Sequence, residues 1–171
     1  MSACLAETSP AIDPKALRSA LGAFSTGVTI VTTLDGDGVP VGVTANSFSS
    51  VSLDPPLILW SLAKNARSHA VYSSSRHWVV NVLSQDQVAL SNRFAQRGED
   101  KFAGVSVSCG VAGVPVLDGL AACFQCETWA RYDGGDHTIF VGRVLQYARS
   151  QEPPLVFHDG QYAVASPKAD A

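Results

Sequence analysis

Val41-Gly-Val-Thr-Ala-Asn-Ser-Phe-Ser-Ser-Val-Ser-Leu-Asp-Pro-Pro56 starts as a β-branched strand, opens into short hydroxyl and amide side chains, and stops at a double proline. Five hydroxyls and one amide fall between Thr44 and Ser52. Side chains this short leave backbone N–H groups approachable, which suits a planar polar ligand or a phosphate. The same run also suits an ordinary Ser-rich hairpin arm. Just upstream, Thr26-Gly-Val-Thr-Ile-Val-Thr-Thr33 has strong β-propensity, and Asp35-Gly-Asp-Gly38 is a turn signal leading into a strand over Val39–Phe48. Together they predict a hairpin whose second arm is the polar stretch.

Further upstream, Asp13-Pro14 supplies an N-cap and a proline at the first helical position, and Leu17, Leu21 and Phe24 share one face of a short helix whose role is packing. Downstream, Leu57–Leu62 reads as a fully buried strand, and Asn65 caps a helix running from Ala66 to about Ser73. Lys64, Asn65, Arg67 and Ser68 then surround a helix N-terminus, either a phosphate seat or a plain capped helix. A strand over Trp78–Leu83 precedes Ser84 and Gln87, a capping box that opens a helix toward Phe94. Arg97–Phe102 reads as a surface loop and Val105–Val111 as a weak strand. Leu120–Tyr132 reads as a half-buried strand turned back at Gly134-Gly135 into Thr138–Tyr147, and Leu155–Phe157 as a last short strand. Antiparallel hairpins with three short helices predict a mainly β fold, a β-barrel or sandwich with helices at its edges.

The 171 residues fit one domain, with 1–12 and 167–171 as loose tails. Apolar residues make 46% of the chain and charged ones 16%, the balance of a globular protein with a somewhat apolar surface that favours self-association. A net charge of -3 argues against a nucleic-acid partner. Between Lys64 and Lys101, however, six basic residues face three acidic ones, an excess that suits a small anionic ligand or a solvated face. Cys4, Cys109, Cys123 and Cys126 are too few and irregular for a disulfide framework, and no apolar stretch is long enough for a membrane. The expected location is the cytoplasm.

Common catalytic signatures are missing: there is no GxGxxG after a strand, no Walker P-loop, no GxSxG elbow and no HExxH. Cys123 and Cys126 form a CxxC, but in a strand residues three apart point to opposite faces, so the pair reads as two small strand residues. No carboxylate pair or Ser/His/Asp set emerges either, which leaves chemistry borrowed from a cofactor. Among four histidines, His137 in Gly134-Gly-Asp-His137 stands at the start of a strand, where a barrel mouth opens or where a turn histidine is merely exposed.

Thr26–Thr33, Thr44–Pro56 and Gly135-Asp-His-Thr-Ile-Phe-Val-Gly-Arg143, with Asn81-Val-Leu-Ser-Gln-Asp-Gln87, together resemble the short-chain flavin reductases, the reductase components of two-component flavin-dependent monooxygenases. The resemblance runs from about Leu17 to Tyr162 in the family's order. It implies a flavin-reductase-like split β-barrel, a homodimer, and FMN or FAD bound near the subunit interface. It further implies that Thr44, Ala45, Asn46 and Ser47 line the isoalloxazine edge with Val51 and Ser52 close by. Ser61, Leu62 and Ala63 would then approach the ribityl chain, and Arg67 and Ser68 would hold phosphate. Thr29, Lys101 and Phe102 match positions near the flavin; His137 matches a histidine beside the nicotinamide, with Tyr162 on the same side.

The residue types fit that allocation. An isoalloxazine edge presents carbonyls and an N–H that N–H, hydroxyl and amide groups read well, and a phosphate takes a helix N-terminus plus a cation. Direct hydride transfer needs stacking and exclusion more than a proton-transferring residue, so His137 is expected to position the nicotinamide. The implied activity is an NAD(P)H:flavin oxidoreductase, with NADH or NADPH as donor, that supplies reduced flavin to a separate oxygenase. Two rivals share the fold: reduction of a corrin or ferric complex by a tightly held flavin, and a non-enzymatic flavin-binding module.

Overall fold

The computed structural model describes residues 11–98 and 100–166, so residues 1–10 of the tail expected at 1–12, the tail expected at 167–171, and Cys4 lie outside the described residues. Helix α1 (Pro14–Gly22) starts where the sequence predicts, with the Asp13 carboxylate accepting from the N–H groups of Lys15 and Ala16. The strands that follow are β1 (Thr26–Gly27), β2 (Thr29–Leu34), β3 (Pro40–Ala45), β4 (Ser49–Leu53) and β5 (Pro56–Ala63). Next come α2 (His69–Ser74), β6 (His77–Val82), α3 (Val88–Ala95), β7 (Val107–Cys109) and β8 (Pro115–Leu117). The long hairpin β9 (Ala122–Gly134) and β10 (His137–Arg149) and the short β11 (Leu155–His158) and β12 (Gln161–Val164) complete the chain.

Seven strands form one sheet in the order β3-β2-β6-β9-β10-β5-β4. Consecutive strands β3 and β4 therefore sit at opposite edges, joined only by residues 46–48. Laid flat, those edges would stand about 29 Å apart at ordinary strand spacing. The connection from Ala45 to Ser49 reaches about 14 Å at full extension. The sheet must therefore curl until its edges approach, and β3 does touch β5 across the seam. The expected strand over Val39–Phe48 is corrected accordingly: it ends at Ala45, and the polar run crosses the seam before starting a second strand.

The barrel interior is aromatic. Trp60, Trp78, Tyr72 and Phe140 are fully buried, with the Trp60 ring stacked on Phe140 at 5.0 Å and edge-on to Tyr72 and Trp78. β5 sends Ile58, Trp60 and Leu62 into this core while Leu57, Leu59 and Ser61 stay half-buried, so it alternates and is not the fully buried strand its composition suggests. The strand covered on both faces is β2, whose first five residues, Thr29–Thr33, are all buried because the barrel core lies on one face and a second cluster, with Phe94 of α3 and Leu155 of β11, lies on the other. Its threonines are accommodated by hydrogen bonds: Thr32 Oγ1 donates to Pro115 O at 2.6 Å and Thr33 Oγ1 to His77 O at 2.8 Å.

The β7–β8 ribbon covers the outside of β6 and β9, burying Val79 and Cys123 against Val114. Cys126, three residues on, faces the barrel core. The two thiols thus lie on opposite faces, as expected, but the strand is covered on both sides there instead of half-buried. Burial pushes the Cys126 thiol up to about 12, leaving it inert. Asn81 of β6 fastens the ribbon: its amide donates to Ile30 O at 2.9 Å and accepts from the Leu117 N–H at 2.9 Å with no exposed surface.

Three further expectations need adjusting. The weak strand at Val105–Val111 is only Val107–Cys109, made possible by the unforeseen partner β8. The last strand, β11, also has an unforeseen partner in β12, and β1 joins them to form a separate three-stranded sheet. Helix α1 has no buried residue: Leu17 and Leu21, and Phe24 just past its end, are 46%, 65% and 78% exposed, so its apolar face is uncovered among the described residues. The Ser84–Gln87 capping box forms as read, with a single 3-10 turn ahead of α3.

Replacing Asn81 by Leu should leave the buried Leu117 N–H without an acceptor and cost about 1–3 kcal/mol. Urea unfolding checks this; an unchanged midpoint would show that the amide is not what ties the ribbon to the barrel.

Candidate functional site

A cavity of about 500 Å³ opens between β3, the turn before α2, and the end of α3 with the loop that follows it. One wall is apolar. Gly42 makes that wall possible, because a Cβ there would stand 2.4 Å from the Phe94 ring; without one, Phe94 packs against β3 and meets Phe102 edge-on at 5.0 Å. The polar part of the lining includes Asn65, Arg67 and Ser68 from the turn before α2 and Arg97, Asp100 and Lys101 from the loop after α3. Lys101 Nζ donates to Phe94 O at 2.8 Å, and partial burial lowers the amine's pKa.

Arg67, Ser68, Lys101 and Phe102 therefore converge, although the last two come from a loop about 35 residues away from the first two. The expected helix start is corrected: residues 64–68 are a turn, α2 begins at His69, and Ser68 at its N-cap makes no side-chain cap hydrogen bond. The delay follows from local bonding, since the N–H of Ala66 donates to Ala63 O and that of His69 to Ala66 O, closing two tight turns before the helix propagates. In the loop expected at Arg97–Phe102, Arg97, Gly98, Asp100, Lys101 and Phe102 likewise line the cavity and are not only surface.

The hydroxyl-rich stretch runs from this cavity to the barrel seam. Thr29 Oγ1 donates to Ala45 O at 2.7 Å and Thr44 Oγ1 to Ser91 O at 2.7 Å, so both hydroxyls are spent on holding the end of β3. Ser47 Oγ donates to Ser61 O at 3.0 Å and accepts from the Ser61 N–H at 2.9 Å, stitching the crossing segment to β5. Asn46 is exposed with its amide available, Val51 is half exposed on edge strand β4, and Ser52 is partly covered. Leu62 is 6% exposed and points into the core, so only its backbone faces any ligand.

Adjacent strands extend the constellation. Ala63 pairs with His137 across β5 and β10, and Ser61 with Ile139. His137 follows the two-residue turn Gly135-Asp136, in which Gly135 takes φ +78°. The Asp136 carboxylate can only accept, so the His137 Nδ1–H donates to it at 2.7 Å, which fixes the ring's tautomer and leaves Nε2 outside this bond. That bond holds the Asp136 carboxyl below its usual range. Tyr162 stands further round, its hydroxyl bonded to Ser91 Oγ at 2.9 Å and to Asn92 Oδ1 at 2.8 Å on α3. It supports the helix that holds Thr44 and does not line the cavity.

Gly42, Phe94 and Arg97 also line the cavity, and the sequence reading did not single them out. An Arg in a charged loop and a Gly opposite an aromatic ring become recognisable only once β3 and α3 are packed together. Among the described residues no cluster of His, Cys, Asp and Glu could hold a metal, and no helix is long and apolar enough to cross a membrane.

Residues 21–166 match the model of the flavin reductase like domain. The chain is 47% identical over 148 residues to the FMN reductase (NADH) SmoA of Agrobacterium fabrum, covering 86% of this chain and 84% of that protein. It is 44% identical over 158 residues to HsaB of Rhodococcus jostii, the reductase subunit of a flavin-dependent monooxygenase, covering 92% and 80%. A probable flavin reductase of Rhizobium meliloti is 46% identical, but the chain spans only 50% of that longer protein. Among solved structures, the NADH:FAD oxidoreductase SgcE6 of Streptomyces globisporus C-1027, in complex with NAD and FAD fragments, superposes with a TM-score of 0.86 at 38% identity over 95% of this chain and 100% of that one. The seven-stranded barrel, the cavity at its seam and these likenesses agree: the chain belongs to the flavin reductase like domain family.

Proposed function

We propose that this protein is an NADH-dependent flavin reductase that releases reduced FMN or FAD to a separate oxygenase. The observation that carries the reading is the convergence at one end of β5. There Ser61 binds Ser47, Ala63 pairs with His137, and the turn immediately following lines the cavity with Arg67 and Ser68. Relatives with this domain include SmoA, named an NADH-dependent FMN reductase, and HsaB, named a monooxygenase reductase subunit.

The residues present fit a flavin. Arg67, Arg97 and Lys101 supply cations for phosphate, Ser68 a hydroxyl, and Phe94, Phe102 and Gly42 an apolar wall. Asn46, Ser47 and the backbone of 44–47 would read the ring's polar edge, while the backbone of Ser61–Ala63 would follow the ribityl chain. Thr29 and Thr44 act through the bonds that fix the end of β3. Bound flavin supplies the redox chemistry by accepting hydride from a nicotinamide. The chain's own contribution is geometric: the seam would seat the ring, and His137, fixed by Asp136, would orient the nicotinamide. NADH is preferred here over NADPH because SmoA and SgcE6 are both named for NADH.

A homodimer completes the reading. The exposed apolar residues Leu17 and Leu21 of α1, with Ile12 before it and Phe24 just after it, are a surface that a second copy would cover. Sedimentation should give a dimer that Leu21→Asp with Phe24→Asp weakens; a wild-type monomer at micromolar concentration would remove this element.

Arg67→Ala and His137→Ala separate the two halves of the site. The first should weaken flavin binding by about 1.5–3 kcal/mol, read by flavin fluorescence, since a charge-assisted bond is lost. The second should raise the KM for NADH about five- to tenfold and spare flavin affinity. Equal loss of flavin affinity in both variants would contradict the division.

A further inference from the structure

His69 has no part in the allocation above, yet it sits where the two halves of the site meet. It is the first residue of α2, directly after the Arg67–Ser68 turn. Its Nε2 lies 2.9 Å from Thr138 Oγ1 on β10, its Nδ1 lies 3.4 Å from Ser73 Oγ one helical turn on, and its ring meets Phe140 edge-on at 6.4 Å. Thr138 is the residue next to His137 and pairs with Leu62 across β5.

Two other contacts join the same segments. The Lys64 N–H donates to Asp136 O at 2.9 Å, and Lys64 Nζ pairs with Asp133 at 2.6 Å. The Lys64–Asp133 ion pair is exposed and screened by solvent, so it restrains little. The His69–Thr138 bond is half-buried beneath the hairpin tip and is the more persistent restraint. Helix α2 itself does not depend on it, because Tyr72 is fully buried and donates to Val31 O at 2.6 Å. The bond therefore adds a side-chain tie to the tip of the β9–β10 hairpin, beyond the backbone pairing of His137 with Ala63 and of Thr138 with Leu62. Successive side chains on a strand leave opposite faces, so Thr138 held from the α2 side fixes the strand whose other face carries His137.

We propose that His69 is a positioning residue for the reduction: through Thr138 it locks the hairpin tip bearing His137 to the turn bearing Arg67 and Ser68. Flavin held by the turn and nicotinamide beside His137 then share one rigid frame. The inference rests on the site reading given above. It extends that reading from residues touching ligands to one that holds them in register.

The test uses His69→Leu, Thr138→Val, the double variant and His69→Gln, with His137→Ala alongside. His69→Leu and Thr138→Val should each raise the KM for NADH about fivefold with kcat within about twofold, as the loss of one hydrogen bond would. The double variant should be no worse than either single one, and His69→Gln, which can still reach the hydroxyl, should recover most of the loss. In the flavin-free protein, amide hydrogen exchange at Gly134–Thr138 should speed up in His69→Leu while flavin affinity and the unfolding midpoint stay as in wild type. Additive effects, or unchanged exchange at the tip, overturn the inference. Should His137→Ala raise the NADH KM while neither His69→Leu nor Thr138→Val does, the inference fails and the site reading stands. Should His137→Ala leave the KM unchanged, the site reading fails and takes the inference with it.

Discussion

Everything in this molecule depends on a three-residue bridge between the two edges of one sheet. Because β3 and β4 are consecutive yet terminal on opposite sides of seven strands, Asn46, Ser47 and Phe48 must span the seam, and the sheet has to close around the Trp60–Phe140 core to let them. A bridge of that kind cannot carry bulky, inflexible side chains facing inward throughout. Its serine, Ser47, ties the bridge to the Ser61 backbone of β5, while Asn46 stays exposed with its amide available. Phe48 anchors it by stacking on Phe124 at 5.5 Å. Polar groups sit at the seam because closure requires short side chains there, and the same short side chains make it a place to bind a planar ligand.

The cavity follows from the closure. Once β3 is fixed as the seam's edge, α3 packs on its outer face, Phe94 presses onto Gly42, and the loop after α3 swings Lys101 and Phe102 to face the turn at 65–68. On the other side of the seam β5 carries Ser61 and Ala63 to the start of β10 and so to His137. Cations, hydroxyls and one imidazole come from five separated parts of the chain, and the barrel is what gathers them.

Much of this was legible in the sequence, and what was not has physical reasons. Hairpins announced themselves through Asp35–Gly38 and Gly134-Gly135 because turn chemistry is local. The capping box at Ser84 and the N-cap at Asp13 were equally local. The break at Ala45 was invisible, because nothing in a run of Thr, Asn and Ser marks where a strand leaves one sheet edge for another; only the long-range pairing of β4 with β5 decides it. β8 and β12 were missed because three- and four-residue strands carry too little pattern to stand out. The burial of α1 was overestimated because amphipathicity says that a face wants a partner without saying that the partner is in the same chain. In the candidate site, Arg67, Ser68, Lys101 and Phe102 came from a resemblance and do line one cavity, whereas Leu62 turned inward and Tyr162 was engaged by α3. His69 carried no signal at all, since a lone histidine at a helix start acquires a partner only through the fold.

The central claim is that the seam presents a diffusible flavin to NADH. Anaerobic mixing of the purified protein with NADH and excess free FMN or FAD, followed at the flavin's visible absorption band, tests it most directly. The account predicts bleaching of many equivalents of free flavin per protein. Bleaching of a single bound equivalent, or none with NADH, would contradict it.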